Sequence, residues 1–151
     1  MLGFITSYMP LSTNLATSPR FFHEPAADQT NSPVLLLIRE ITPGGVVTTL
    51  AGSGSAGAVN GTGTAASFYK PTGVAVDSIG NVYVADTFNN LIRKITSGGV
   101  VTTLAGSGAS GSNNGPANTA TFLDPYGIAV DSSGNVYVGD TFNNLIREII
   151  P

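Results

Sequence analysis

Four polar side chains recur at one fixed spacing and are the first candidates for chemistry. Asp77, Asp86, Asn90 and Arg93 return as Asp131, Asp140, Asn144 and Arg147. Carboxylates beside an amide would suit oxygen ligation of calcium or acid–base catalysis. An active site is ordinarily built once, however, and these residues come back in every copy of their segment. Their expected work is therefore structural: aspartates closing hairpins, Asn90 satisfying turn backbone, and Arg93 pairing with a carboxylate between neighbouring units.

Other chemistries lack their residues. The one histidine of the 151 residues is His23, which lies outside the repeated part, so the repeats hold no histidine metal site or histidine base. There is no cysteine, and no nucleophile elbow or phosphate-cradling loop is present. No cofactor is expected. Net charge is −3 with six Lys and Arg in total, too few for a basic stripe, so nucleic acid is not an expected partner. No stretch reaches the ~18 consecutive apolar residues of a membrane span. The segment Met1 to Pro19 carries no basic side chain and fits a secretory signal poorly.

The elements that position these residues follow from a repeat. Leu37-Ile38-Arg39 recurs as Leu91-Ile92-Arg93 and as Leu145-Ile146-Arg147, a period of 54 residues (91 − 37 and 145 − 91). With 42% hydrophobic residues, 10% charged residues and 19 glycines, the chain has the balance of short strands joined by many turns. One period holds four strand-length apolar runs: Gly73 to Asp77, Asn81 to Ala85, Leu91 to Ile95, and Val100 to Ala105. Asp77-Ser78-Ile79-Gly80, Asp86 to Asn90, and Ser97-Gly98-Gly99 separate them as turns. Three short turns in succession predict a four-stranded antiparallel meander, a unit that must be covered by its neighbours.

The strings Pro71-Thr72-Gly73-Val74-Ala75-Val76-Asp77, Gly80-Asn81-Val82-Tyr83-Val84-Ala85-Asp86 and Asn89-Asn90-Leu91-Ile92-Arg93-Lys94-Ile95 closely resemble the NHL repeat, and the next copy repeats them with small changes. The resemblance covers about residues 34 to 151. It implies an all-β fold, a β-propeller fragment of four-stranded antiparallel blades with an incomplete ring. A partial blade is expected at 34–51, a full blade at 71–105 and a partial blade at 125–150. Four to eight such blades close a propeller, and four units of 54 residues exceed 151, so a fragment of a larger propeller is expected. Residues 1–33, with Pro10, Pro19, Pro25 and Pro33, fit no repeat and are expected to form an irregular or disordered arm.

Known members of the family are mainly binding modules and scaffolds. The resemblance therefore implies a non-catalytic module that binds a protein or glycan, with an extracellular or cell-surface setting favoured. The alternative is a fragment of a propeller hydrolase or lyase with oxygen-ligated calcium, since gluconolactonase-like hydrolases and amidating lyases share the architecture. Open blade edges would also allow a homo-oligomer.

Comparing the two copies locates the variable surface. From Leu37 to Gly54 against Leu91 to Gly108, 16 of 18 positions are identical, whereas from Ser55 to Lys70 against Ala109 to Asp124 only five of 16 match. Gly57, Asn60, Gly61, Ala66 and Phe68 persist and are expected to be structural. The binding candidates lie on the loop face: Tyr69, Lys70, Phe88, Asn89, Asp124, Tyr126, Phe142 and Asn143.

Overall fold

The computed structural model describes residues 20–23 and 36–151. These form three antiparallel sheets, with short 3-10 turns and no α-helix among the described residues. The first sheet holds β1 (Arg20–His23), β2 (Ile38–Ile41) and β3 (Val47–Ala51) in that order. A connecting segment carries the two-residue strand β4 (Gly61–Thr62). The middle blade follows as β5 (Pro71–Val76), β6 (Val82–Asp86), β7 (Leu91–Ile95) and β8 (Val100–Ala105). The last sheet is β9 (Pro125–Val130), β10 (Val136–Asp140) and β11 (Leu145–Ile149).

Local chemistry sets each turn of the middle blade. Asp77 Oδ1 accepts the backbone N–H groups of Ile79 (3.1 Å) and Asn81 (2.8 Å), while Oδ2 accepts the Asn81 amide (2.8 Å) and the Tyr83 hydroxyl (3.1 Å). Gly80, at φ +86°, turns the chain back into β6. Asp131 closes the next blade's hairpin in the same way, on Ser133 and Asn135. After β6 the chain makes a 3-10 turn, Thr87–Asn89, and Asn90 ends it in the left-handed region at φ 54°.

The core lies between blades. Alternate residues of β6 point to opposite faces. Val82 and Val84, with Ile95 and Val101, meet Ile38 and Ala51 of the first sheet and Ala66 and Phe68 of the connecting segment. Tyr83 and Ala85, with Ile92 and Ala105, meet Val136 and Val138 of the last sheet and Phe122 of the second connecting segment. Burying a large apolar side chain contributes about 1.5–3 kcal/mol, so each seam depends on the phenylalanine its connection delivers. The far face of the last sheet has no such cover among the described residues. Tyr137 is 37% exposed where its counterpart Tyr83 is 2% exposed, and Ile146 is 79% exposed where Ile92 is fully buried.

Two strands depart from the sequence reading. The arm was expected to lack regular strands, yet Arg20–His23 pairs with β2 from Arg20↔Ile41 to His23↔Ile38. That is the place β6 takes beside β7, where Val82 pairs with Ile95. Pro19 and Pro25 flank this strand without interrupting it, so every ladder N–H is retained. The rest of the arm, and residues 34–35 of the first partial blade, lie outside the described residues. The second departure is β4, which pairs Gly61↔Val101 and Thr62↔Val100 and makes the middle sheet five-stranded, in the order β4-β8-β7-β6-β5. A Gly-Thr pair has no strand signal of its own. It is held by position, through the Gly63 N–H donated to the Gly99 carbonyl at 2.9 Å.

Gly73 and Gly127 occupy the same repeat position in different surroundings. A Cβ at Gly73 would sit on the Tyr126 carbonyl of β9, whereas a Cβ at Gly127 would meet nothing. Gly73→Ala is expected to cost about 1–3 kcal/mol by overpacking, and Gly127→Ala to stay within about 0.5 kcal/mol, both read from urea unfolding. Equal losses would contradict the one-sided cover of the blades. Burial works to raise the Asp77 carboxyl, but the bonds from Asn81, Ile79 and Tyr83 outweigh it and hold the group below its usual 3.8. A carboxyl depressed on folding stabilises above its unfolded value and loses that contribution as pH falls through the folded one. Unfolding free energy should therefore drop below pH 3.8, and Asp77→Asn should flatten that slope.

Candidate functional site

One buried ion pair anchors the loop face. Asp86, at the end of β6, and Arg93, in β7, meet at 2.7 Å with both side chains fully buried. The sequence reading has Arg93 pairing between neighbouring units, but the pair lies within one blade. Asp86 and Leu91 are ladder partners, and two residues further along β7 the arginine falls on the same face as the carboxylate. What crosses between units is the rest of the guanidinium. Its Nη1 donates to the Ser67 carbonyl (3.2 Å), and its Nη2 donates to the Val59 carbonyl (3.1 Å) and to Asn60 Oδ1 (2.8 Å). Phe68 lies beneath it, with the guanidinium carbon 5.2 Å from the ring centre.

The carboxylate completes the tie. Asp86 Oδ1 accepts the Tyr69 N–H at 2.8 Å, and Oδ2 accepts the Asn89 amide at 2.8 Å. Burial lifts this carboxyl above its usual range, and the hydrogen bonds from Tyr69, Asn89 and Arg93 oppose the shift without cancelling it. The next unit repeats the arrangement. Asp140 and Arg147 meet at 2.9 Å, and Arg147 donates to Thr121 O, Asn113 O and Asn114 Oδ1. Asn60 and Phe68 thus take the structural places expected of them, and a Cβ on Gly57 would collide with Ser67 Oγ at 2.5 Å.

The loop-face residues divide by what their side chains are already doing. Asn89 donates to Asp86 and to the Gly57 carbonyl, and Asn143 donates to Asp140 and to the Gly111 carbonyl, so both amides are engaged inside the fold. Tyr69, Phe88, Tyr126 and Phe142 are exposed. Tyr69 and Phe88 form an edge-to-face pair with ring centres 5.3 Å apart, and Lys70 Nζ sits 4.2 Å over the Phe88 ring. Lys70 and its counterpart Asp124 both hold left-handed backbone, at φ 49° and 44°. Thr72 Oγ1 lies 3.1 Å from the Tyr126 carbonyl, and Thr87 Oγ1 donates to the Pro125 carbonyl at 2.7 Å, which sets the starts of β5 and β9 side by side. The Tyr69–Lys70–Phe88 cluster and Tyr126 therefore share one end of adjacent blades. Among the described residues, no three of His, Cys, Asp and Glu converge as a metal site. No helix of the described residues is long and apolar enough to cross a membrane.

Removing Arg93 would strand a buried carboxylate and release the connecting segment at once. Arg93→Met is expected to cost about 3–5 kcal/mol in urea unfolding. Arg147→Met should cost less, because the Arg147 side chain is 9% exposed and water can replace part of what it gives. Equal, small losses would show that the pair does not hold the loop.

Residues 68–95 match the family model NHL repeat, and residues 120–139 match the model Beta-propeller repeat. The chain is 35% identical over 91 residues to the Arabidopsis thaliana protein Suppressor of Quenching 1, chloroplastic, an alignment covering 60% of this chain and 9% of that protein. Among solved structures it resembles a Bacteroides thetaiotaomicron protein of unknown function (28% identity, TM-score 0.73, 85% of this chain and 31% of that one). It also resembles an auxiliary nutrient binding protein of the same organism (28% identity, TM-score 0.66, 78% and 33%). A streptogramin B lyase, at 15% identity and TM-score 0.52 over 78% of this chain and 31% of that one, shares the fold alone. The chain thus spans about a third of these solved proteins and a small part of the plant relative. Two stretches of the chain thus match propeller-repeat models, and the meander sheets, seams and repeated ion pairs described above give it an all-β, propeller-like fold similar to that of these solved structures.

Proposed function

We propose that this chain is a non-catalytic ligand-binding module whose loop face captures a protein or glycan through the Tyr69, Lys70 and Phe88 cluster, with Tyr126, Asp124 and Phe142 beside it on the neighbouring blade. The observation that carries this reading is the backbone of Lys70 and Asp124. Left-handed φ costs a non-glycine residue about 1 kcal/mol, yet both copies place a charged side chain there, of opposite sign. Exposed aromatic rings beside them supply flat apolar surface with little conformational entropy to lose, which suits a sugar face or a peptide side chain. Asn89 and Asn143 serve this surface from below, by fixing the turns that present Phe88 and Phe142. The likeness to nutrient-binding proteins supports capture of a ligand as the role.

The test is to probe glycan and peptide arrays with the chain and with its Tyr69→Ala/Phe88→Ala variant. The expected result is a discrete set of bound ligands whose signal falls at least about tenfold in the variant, as for aromatic anchors generally, while circular dichroism is unchanged. Binding that survives the double substitution would move the site elsewhere. Turnover of an ester or lactone that depends on added calcium would replace this reading with the hydrolase or lyase alternative.

A further inference from the structure

The turn that carries Phe88, Thr87–Asn89 closed by Asn90, is tied at its two ends to two different connecting segments. The Phe88 N–H donates to the Tyr69 carbonyl at 3.0 Å, and Asn90 Oδ1 accepts the Asp124 N–H at 3.0 Å. Lys70 follows Tyr69 in the chain, with its Nζ 4.2 Å over the Phe88 ring. One end of the turn therefore lies beside a cation and the other beside a carboxylate. Among the described residues neither Lys70 nor Asp124 forms an ion pair; the buried pairs use Asp86, Arg93, Asp140 and Arg147.

We infer that the ligand of this face is a polypeptide segment bearing an acidic and a basic side chain on either side of an apolar one. The inference rests on the proposed capture of a ligand at this face and adds what that ligand must carry. The apolar side chain packs on Tyr69 and Phe88, the acidic one meets Lys70, and the basic one meets Asp124.

Charge complementarity selects this class. A neutral glycan would cover both charges and pair neither, and an acidic sugar would pair Lys70 alone, whereas a charge desolvated without a partner costs binding energy. A polypeptide offers both signs with an apolar group between them. Exposed ion pairs add little affinity, but like charges set face to face oppose binding, so the two residues act on which partner is chosen. The two positions also tolerate exchange of sign. Asp124 is the repeat counterpart of Lys70, and the two hold the same left-handed backbone, at φ 44° and 49°, with opposite charges.

The test is binding of the whole chain to immobilised peptides with a central Trp, Tyr or Leu. The residues two places to either side are Glu and Arg in either order, two Glu, two Arg, or two Gln. The unsubstituted chain is expected to bind the Glu/Arg peptides at least about fivefold more tightly than the other three sets. Lys70→Asp should move the preference to the Arg/Arg set, and Asp124→Lys to the Glu/Glu set. Both variants should keep the circular dichroism of the chain, because each puts on one copy's backbone the residue that the other copy already carries there. One ranking shared by the chain and both variants, binding indifferent to the flanking charges, or no binding to any peptide would each overturn the inference. The Tyr69→Ala/Phe88→Ala variant separates that failure from failure of the aromatic site. Charge-indifferent binding that this variant loses keeps the site and strikes the charge rule; charge-ranked binding that survives it keeps the charge rule and strikes the aromatic anchor.

Discussion

The Asp86–Arg93 pair is the interaction on which the rest of the middle unit depends. A strand meander alone fixes only its own four strands, and it leaves a segment of some twenty residues to be folded against it. The buried pair solves this with few groups. The guanidinium takes up the carbonyls of Val59 and Ser67 and the amide oxygen of Asn60, and the carboxylate takes the Tyr69 N–H. Phe68 is then held under the arginine and delivered to the seam between blades. One ion pair thereby couples polar satisfaction of a loop to apolar packing of two sheets, which is why a buried charge is tolerated there.

The same coupling explains why the loop can vary. Only the groups that touch the pair are constrained: Asn60 by its acceptor oxygen, Gly57 by the space next to Ser67, and Phe68 by its place in the seam. The side chains at Tyr69 and Lys70 project beyond the anchor and have no such obligation. In the next copy they are Leu123 and Asp124, on a backbone that retains the same hydrogen bond to the aspartate and the same left-handed turn. A backbone fixed by the anchor lets these side chains differ between copies without disturbing the seam.

Much of this architecture was legible in the sequence. Periodicity gave the strands and turns from Pro71 to Ala105 because their alternation, the Asp77-Ser78-Ile79-Gly80 hairpin and the glycine turn at Gly98-Gly99 are all local signals. The identities kept between copies marked Asn60 and Phe68 as structural. Other features could not be read this way. The carboxylate partner of Arg93 was assigned across units because an ion pair leaves no local trace of which strand supplies it. The engagement of Asn89 with Gly57 joins residues 32 apart in sequence, so nothing near either residue announces it. β4 exists only because β8 offers it an edge. The strand at Arg20–His23 shares no repeat signature and was hidden among the prolines that flank it.

That strand shows what the edge of a blade tolerates. β1 occupies the second-strand position of its blade with a sequence unlike Val82 to Ala85, and fourteen residues separate it from β2 where six separate Ala85 from Ile92 (24–37 and 86–91). The position is thus defined by the edge of β2, not by the identity of what fills it. A blade of this kind therefore accepts a different sequence and a longer connection at its second-strand position while the ladder on β2 keeps its register.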